Sequence, residues 1–136
     1  MAHGAKALML LIGKDEALLR TQALIFESAE YVVVRAGGKE HALKLLKSWR
    51  FGIVVIDSTL PREERNLLAA SVKGKTPDTR VVVFHASADA ENIDLVMDSR
   101  DGAASVLEKV NALFPKPPQA TDGTDATISK PETKSN

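Results

Sequence analysis

The sequence contains no cysteine and has no excess of charge of either sign. Without cysteine the chain has no disulfide framework and no thiolate metal site, and a reducing compartment is compatible with it. Lysine and arginine together number 18, as do aspartate and glutamate, so the net charge is zero. This balance gives no electrostatic footprint for nucleic acid or an anionic membrane, and we expect neither as a partner.

Long hydrophobic runs are also missing. The first apolar run, residues 7–12, is shorter than the core of a signal peptide and leads directly into charged residues. No run approaches the length of a membrane-spanning helix. Export and membrane insertion are not predicted, and the expected location is the cytoplasm.

At 136 residues, 44% of them hydrophobic, the chain is long enough for one domain with a sizeable core. We expect this domain to cover residues 6–114. Residues 115–136 are rich in Pro, Thr, Ser, Lys and Asp, and they cannot bury enough apolar surface to offset the entropy of ordering. This segment is predicted to be a disordered tail, with a functional tail as the alternative.

Four short apolar runs predict strands that are covered on both faces. Their hydrophobicity is continuous rather than alternating, which is typical of a parallel sheet. The runs lie at 7–12, 31–36, 52–57 and 81–86.

Segments with the helical period of apolar residues lie between and after these runs. They are 15–28, 38–49, 62–73 and 102–114. Asp15 is the expected N-cap of the first helix, and Trp49, at the end of the second, is expected in the core. The alternation predicts an α/β fold with a doubly wound parallel sheet and right-handed crossovers.

The alternation breaks once, after the fourth strand. Only residues 87–92 separate it from the next apolar run, 93–97, whereas a crossover that contains a helix normally needs ten or more residues. Either 93–97 is a fifth strand reached by a bare loop, or it is a short helix beside a four-stranded sheet. We favour the strand.

The candidate site residues directly follow the predicted strands, because open α/β sheets place their functional groups at the carboxyl ends of the strands. They are Gly13, Lys14 and Asp15 after the first strand, Asp57, Ser58 and Thr59 after the third, and His85, Ala86 and Ser87 after the fourth. Asp57 either organises its turn or is the reacting group of a site. His85 could act on phosphate, but a structural role is favoured for a histidine that ends an apolar strand.

From about residue 8 to 114 the sequence resembles a response-regulator receiver domain of two-component signalling. The most specific segment is "IDSTLP" at 56–61, because receivers carry their phospho-accepting aspartate after apolar residues and before two residues, Leu or Met, and Pro. The resemblance implies the flavodoxin-like fold with strand order 2-1-3-4-5. It also implies that Asp57 is the phosphoacceptor position.

The same resemblance shows that the magnesium ligands are altered. Receivers hold the ion with an acidic pair after the first strand, but Gly13 and Lys14 stand there, and Asp15 falls one position late. A divalent cation neutralises most of the charge of the entering phosphoryl group. We therefore expect no cofactor, or at most weak magnesium binding by Asp15 and Asp57.

Other features of the family are also replaced. His85 stands where the family has Thr or Ser, although the following Ala86 fits. The lysine expected after the fifth strand is absent from residues 98–100, and the family's fourth helix is predicted to be missing. Receivers use that helix with the fifth strand and fifth helix for contacts, so a partner of this chain is expected to bind elsewhere.

We interpret the chain as a single-domain receiver-like module of a phosphorelay, or pseudo-receiver, without enzymatic activity. Its aspartate phosphorylation is expected to be impaired or absent, and it is expected to act by contact with a sensor kinase or downstream signalling protein. The alternative is a functional response regulator switched at Asp57. An unrelated flavodoxin-like enzyme or ligand-binding protein is a third reading, for which the sequence offers neither a Gly-rich phosphate loop nor paired catalytic acids.

A further expectation concerns the charge of Asp57. A carboxylate that ends a buried run is costly when it is unpaired. Lys14 follows the neighbouring strand at the same sheet edge, so its ammonium is predicted to lie close to Asp57 in place of the cation. In the alternative, Lys14 points into solvent and Asp57 accepts only backbone or hydroxyl hydrogen bonds in its turn.

Overall fold

The computed structural model describes residues 7–84, 92–98 and 100–113. Within these ranges the chain forms a five-stranded sheet, all parallel, in the order β2-β1-β3-β4-β5. The strands are β1 (Leu8–Ile12), β2 (Val32–Ala36), β3 (Ile53–Ile56), β4 (Arg80–Phe84) and β5 (Leu95–Met97). The predicted fold class and strand order are confirmed.

The helices of the described ranges correspond to the four predicted from the sequence. They are α1 (Glu16–Ser28), α2 (Lys39–Ser48), α3 (Arg62–Lys75) and α4 (Ala103–Asn111). Asp15 is the N-cap of α1, as predicted, because its Oδ1 accepts the Leu18 N–H at 3.1 Å. None of these helices is both long and apolar enough to cross a membrane.

The two faces of the sheet carry separate apolar cores. In β1, Met9 and Leu11 pack on the face covered by α1 and α4, whereas Leu10 and Ile12 pack on the face covered by α2 and α3. All four side chains are fully buried. Burial on both faces explains why β1, β3 and β4 appear in the sequence as continuous apolar runs. The prediction does not hold for β2, an edge strand of the described sheet that is only partly buried and exposes Val32.

The apolar run 93–97 contains a strand, as favoured from the sequence, and Asp94 fixes its beginning. The Asp94 N–H donates to Val81 O at 2.8 Å, and Asp94 Oδ2 accepts the Val81 N–H at 2.7 Å. Lys73 of α3 lies 2.7 Å from the same oxygen. The predicted loss of a helix before β5 falls on residues 87–92, and residues 85–91 lie outside the described part of the chain.

Trp49 is not the core residue that the helical stripe predicted. Helix α2 ends at Ser48, and Trp49 has an extended backbone with φ −124° and ψ 149°. Its side chain is 51% exposed and stacks on Phe51 with a centroid distance of 6.4 Å. Because the helix stops one residue earlier, the last position of the stripe no longer points to the sheet.

Candidate functional site

The candidate site lies between the carboxyl ends of β1 and β3, which are neighbours in the sheet. Ile12 and Ile56 are paired in register, so the residues that follow them, Gly13 and Asp57, lie side by side. The Asp57 N–H donates to Ile12 O at 2.9 Å, and the Gly13 N–H donates to Ala36 O of β2 at 3.1 Å. Backbone pairing therefore fixes both residues.

The Asp57 carboxylate is fully buried, with 0% exposure. Its Oδ1 accepts two hydrogen bonds from Thr59, one from the backbone N–H at 2.8 Å and one from the hydroxyl. This is the local side-chain-to-backbone pattern that organises a turn. Its Oδ2 is buried without a hydrogen-bond partner in the described residues.

Lys14 is not the partner of Asp57, so the predicted ion pair is wrong. The Lys14 ammonium lies 3.6 Å from Glu64 Oε1 of α3, and the lysine side chain is 48% exposed. What Lys14 brings to the site is its backbone N–H, which donates to Thr59 Oγ1 at 2.7 Å. The part of the alternative that concerns Asp57 is observed, because its donors are the backbone and hydroxyl of Thr59. The Lys14 ammonium pairs with Glu64, which neither expectation included.

Gly13 lies against the Asp57 carboxylate on the side of Oδ2. A Cβ at this position would overlap Asp57 Oδ2 and would lie 2.7 Å from Cγ and 2.8 Å from Oδ1. These are the three nearest heavy atoms to that Cβ position, and real Cβ contacts essentially never fall below 3.0 Å. The carboxylate thus occupies the volume that any side chain at residue 13 would need.

The other predicted site residues have separate roles. Asp15 is exposed and caps α1, so its Oδ1 is engaged with the Leu18 N–H. Ser58 is exposed, whereas Thr59 is part of the site. His85 and Ala86 lie outside the described residues. Glu64, as the partner of Lys14, was not anticipated, because the sequence gives no sign of how α3 is oriented.

The residues present do not fit a magnesium ion. Mg²⁺ demands near-octahedral oxygen coordination and is usually bound through one or two carboxylates. Here Asp57 Oδ1 is held by Thr59, and its Oδ2 is packed against Gly13. Within the described ranges, no group of three or more His, Cys, Asp or Glu side chains is placed so that it could hold a metal ion. The hydrogen bonds that Asp57 accepts are those of a turn.

The fold is that of CheY-like response-regulator receiver domains. No protein-family model matches the sequence, and no curated protein matches it. Solved structures do match, but their sequence identities are so low that the likeness supports the fold alone.

Three of these structures illustrate the likeness. A CheY-like receiver domain from Methanospirillum hungatei is 19% identical, with a TM-score of 0.65 over 76% of this chain and 90% of its own. The response regulator TrrA from Thermotoga maritima, in complex with Mg²⁺ and BeF, is 18% identical, with a TM-score of 0.66 over 78% of this chain and 97% of its own. A CheY-like receiver domain from Methylobacillus flagellatus is 16% identical, with a TM-score of 0.67 over 78% of this chain and 97% of its own.

Proposed function

We propose that the protein is a receiver-like module of two-component signalling that acts through protein contacts and not through a phosphorylation cycle at Asp57. The receiver fold supports the signalling class. That the protein does not use a phosphorylation cycle is inferred from the position of the Asp57 carboxylate. This group is fully buried, hydrogen-bonded to Thr59 and packed against Gly13.

Phosphoryl transfer to Asp57 would need two things that this arrangement opposes. The attacking oxygen must face the donor in line with the leaving group, and the charge of the phosphoryl group must be neutralised. One Asp57 oxygen is already an acceptor for two bonds, and the other faces Gly13 in the interior. Lys14, the nearby cation in sequence, is paired with Glu64.

The partner that we propose is a protein, either a sensor kinase or a downstream signalling protein, and we assign the chain no catalytic activity of its own. The connection from Phe84 to Leu95 has ten residues, 85–94, which is the least that a crossover containing a helix normally needs, and residues 92–94 are not helical. Receivers use the helix before the fifth strand, together with that strand and the helix after it, for their contacts. If that first helix is lost here, the surface is altered, and we expect the partner to use a surface other than β5 with α4. Cross-links from a cognate partner that map mainly to α4 would count against this expectation.

Incubation with a small phosphodonor and magnesium, followed by intact mass measurement, tests the proposal. We expect the mass to stay unchanged under conditions that phosphorylate a receiver with a complete acidic pair. A stable adduct of one phosphoryl group, lost in Asp57→Ala but kept in a variant of an exposed aspartate such as Asp78→Ala, would overturn the proposal. That result would identify the protein as a switch that accepts phosphate.

A further inference from the structure

We propose that Gly13 and Thr59 are positioning residues that hold the Asp57 carboxylate in a withdrawn position inside the fold. The residue after β1 then decides whether the Asp57 carboxylate can turn outward to solvent. This inference rests on the proposed function, because it gives the physical reason why Asp57 is not phosphorylated. It concerns where the carboxylate lies, which can be measured without any phosphodonor or metal.

Thr59 holds one side of the carboxylate. Its N–H and hydroxyl both donate to Asp57 Oδ1, and its hydroxyl oxygen accepts the Lys14 N–H at 2.7 Å. The hydroxyl is therefore satisfied as donor and as acceptor, and it links the turn after β3 to the loop after β1. A carboxylate that rotated outward would break the bonds to Thr59.

Gly13 makes room for the other side. Asp57 Oδ2 is buried without a hydrogen-bond partner in the described residues, and such an oxygen is costly to keep in the interior. It is accommodated because residue 13 has no side chain: the three atoms nearest to a Cβ there all belong to Asp57. A side chain at residue 13 and the withdrawn carboxylate are mutually exclusive.

The backbone of Gly13 does not itself require glycine. The positive φ angles of the described residues are at Glu30, Asn92 and Gly38, so alanine at position 13 is not strained in its own conformation. The clash of Gly13→Ala is with the end of one short side chain. We expect this clash to be relieved by rotation of the Asp57 side chain outward to solvent, away from residue 13.

Carboxyl labelling with a water-soluble carbodiimide and an amine measures the position of Asp57 directly. The tryptic peptide 51–62 contains Asp57 as its only acidic side chain, and the peptide 76–80 contains the exposed Asp78 as an internal reference. In the unmodified protein we expect Asp57 to label far more slowly than Asp78. In Gly13→Ala its labelling should rise several-fold relative to Asp78, and in Thr59→Val it should rise to a smaller extent.

Gly37→Ala is the matched control, because Gly37 follows the neighbouring strand β2 and a Cβ there has open space within 4 Å. It should leave the labelling of Asp57 unchanged. A folded Gly13→Ala protein in which Asp57 labels as slowly as in the unmodified protein would overturn the inference. If circular dichroism shows that Gly13→Ala does not fold, Thr59→Val decides, and an unchanged rate in that folded variant would overturn it equally.

The labelling result and the phosphorylation result are separable. If the unmodified protein accepts phosphate but Gly13→Ala still increases the labelling of Asp57, the proposed function fails and the positioning role stands. If neither variant changes the labelling and the protein remains silent to phosphodonors, the proposed function stands and its cause lies elsewhere.

Discussion

The Lys73 ammonium lies 2.7 Å from Asp94 Oδ2 and joins α3 to the beginning of β5. The same ammonium donates to Thr79 O at 2.8 Å, and the same carboxylate accepts the Val81 N–H. Both side chains are largely buried, at 19% and 22% exposure. This pair, with its hydrogen bonds, fixes the short edge strand on β4.

Replacement of Asp94 should therefore destabilise the fold. Asp94→Ala removes the acceptor of Val81 and leaves a largely buried cation without its carboxylate, so we expect a loss of about 2–3 kcal/mol in the free energy of unfolding. Urea denaturation measures this loss. Glu16→Ala, which breaks the exposed pair with Arg20, is the control and should cost less than about 0.5 kcal/mol. Equal effects of the two substitutions would show that the Asp94 contacts contribute little.

Lys14 and Asp57 should behave as independent residues. In the cycle of Lys14→Ala and Asp57→Ala, the two changes in unfolding free energy should add to within about 0.5 kcal/mol, because the side chains do not pair and alanine keeps the backbone N–H of residue 14. A coupling energy of more than about 1 kcal/mol would show that Lys14 and Asp57 do interact, as predicted from the sequence.

Thr59 and Asp57 should instead be coupled. Thr59→Val keeps the shape of the side chain but removes the hydroxyl that donates to Asp57. In the cycle with Asp57→Ala we expect a coupling energy of about 1 kcal/mol, the net contribution of one hydrogen bond. Urea unfolding of the four proteins measures it, and strict additivity would mean that the hydroxyl bond does not hold the carboxylate.

Tyr31 should make the stability sensitive to alkaline pH. Burial raises the pKa of this tyrosine, whose hydroxyl donates to Asn111 Oδ1 at 2.6 Å. Because the folded state keeps the phenol proton to a higher pH than the unfolded state, this contribution to stability is complete below the ordinary pKa of 10 and is lost as the pH rises through the folded-state pKa.

The chain has one tyrosine, so the ultraviolet absorbance of tyrosinate reports on Tyr31 alone. We expect its titration midpoint to lie above 10 in the folded protein and to return to the ordinary value in urea. Tyr31→Phe should flatten the corresponding part of the stability profile. An unshifted midpoint in the folded protein would contradict the burial argument.

The fold could be predicted because its signals are local or follow from connection length. Continuous apolar runs such as 52–57 report burial on both faces, and the short spacing before 93–97 favoured a strand over a helix. Asp15 was identifiable as a cap because capping depends on residues within one turn. Trp49 was placed wrongly because periodicity does not say at which residue a helix stops.

The detail of the site depends on geometry that the sequence does not carry. Charge complementarity suggested Lys14 for Asp57, but it cannot say that the lysine side chain leaves the backbone towards Glu64. The contact between Gly13 and Asp57 joins two strand ends through an atom that glycine lacks. The resemblance to receivers did offer one signal, because receivers carry an acidic residue where this chain has Gly13. The contact of that glycine with Asp57 is visible only in the structure.

The turn at Asp57 also bears on how receiver-like chains are classified as phosphorylatable from their sequences. An aspartate whose oxygen accepts the N–H and hydroxyl of the residue two positions on has a structural use that requires neither a kinase nor a cation. Selection for the turn alone would retain the segment "IDSTLP" in a lineage that no longer transfers phosphate. A census of phosphorylatable receivers that relies on this aspartate would count such chains as active. If the role proposed for Gly13 holds, the first residue after β1 would be the position to inspect as well.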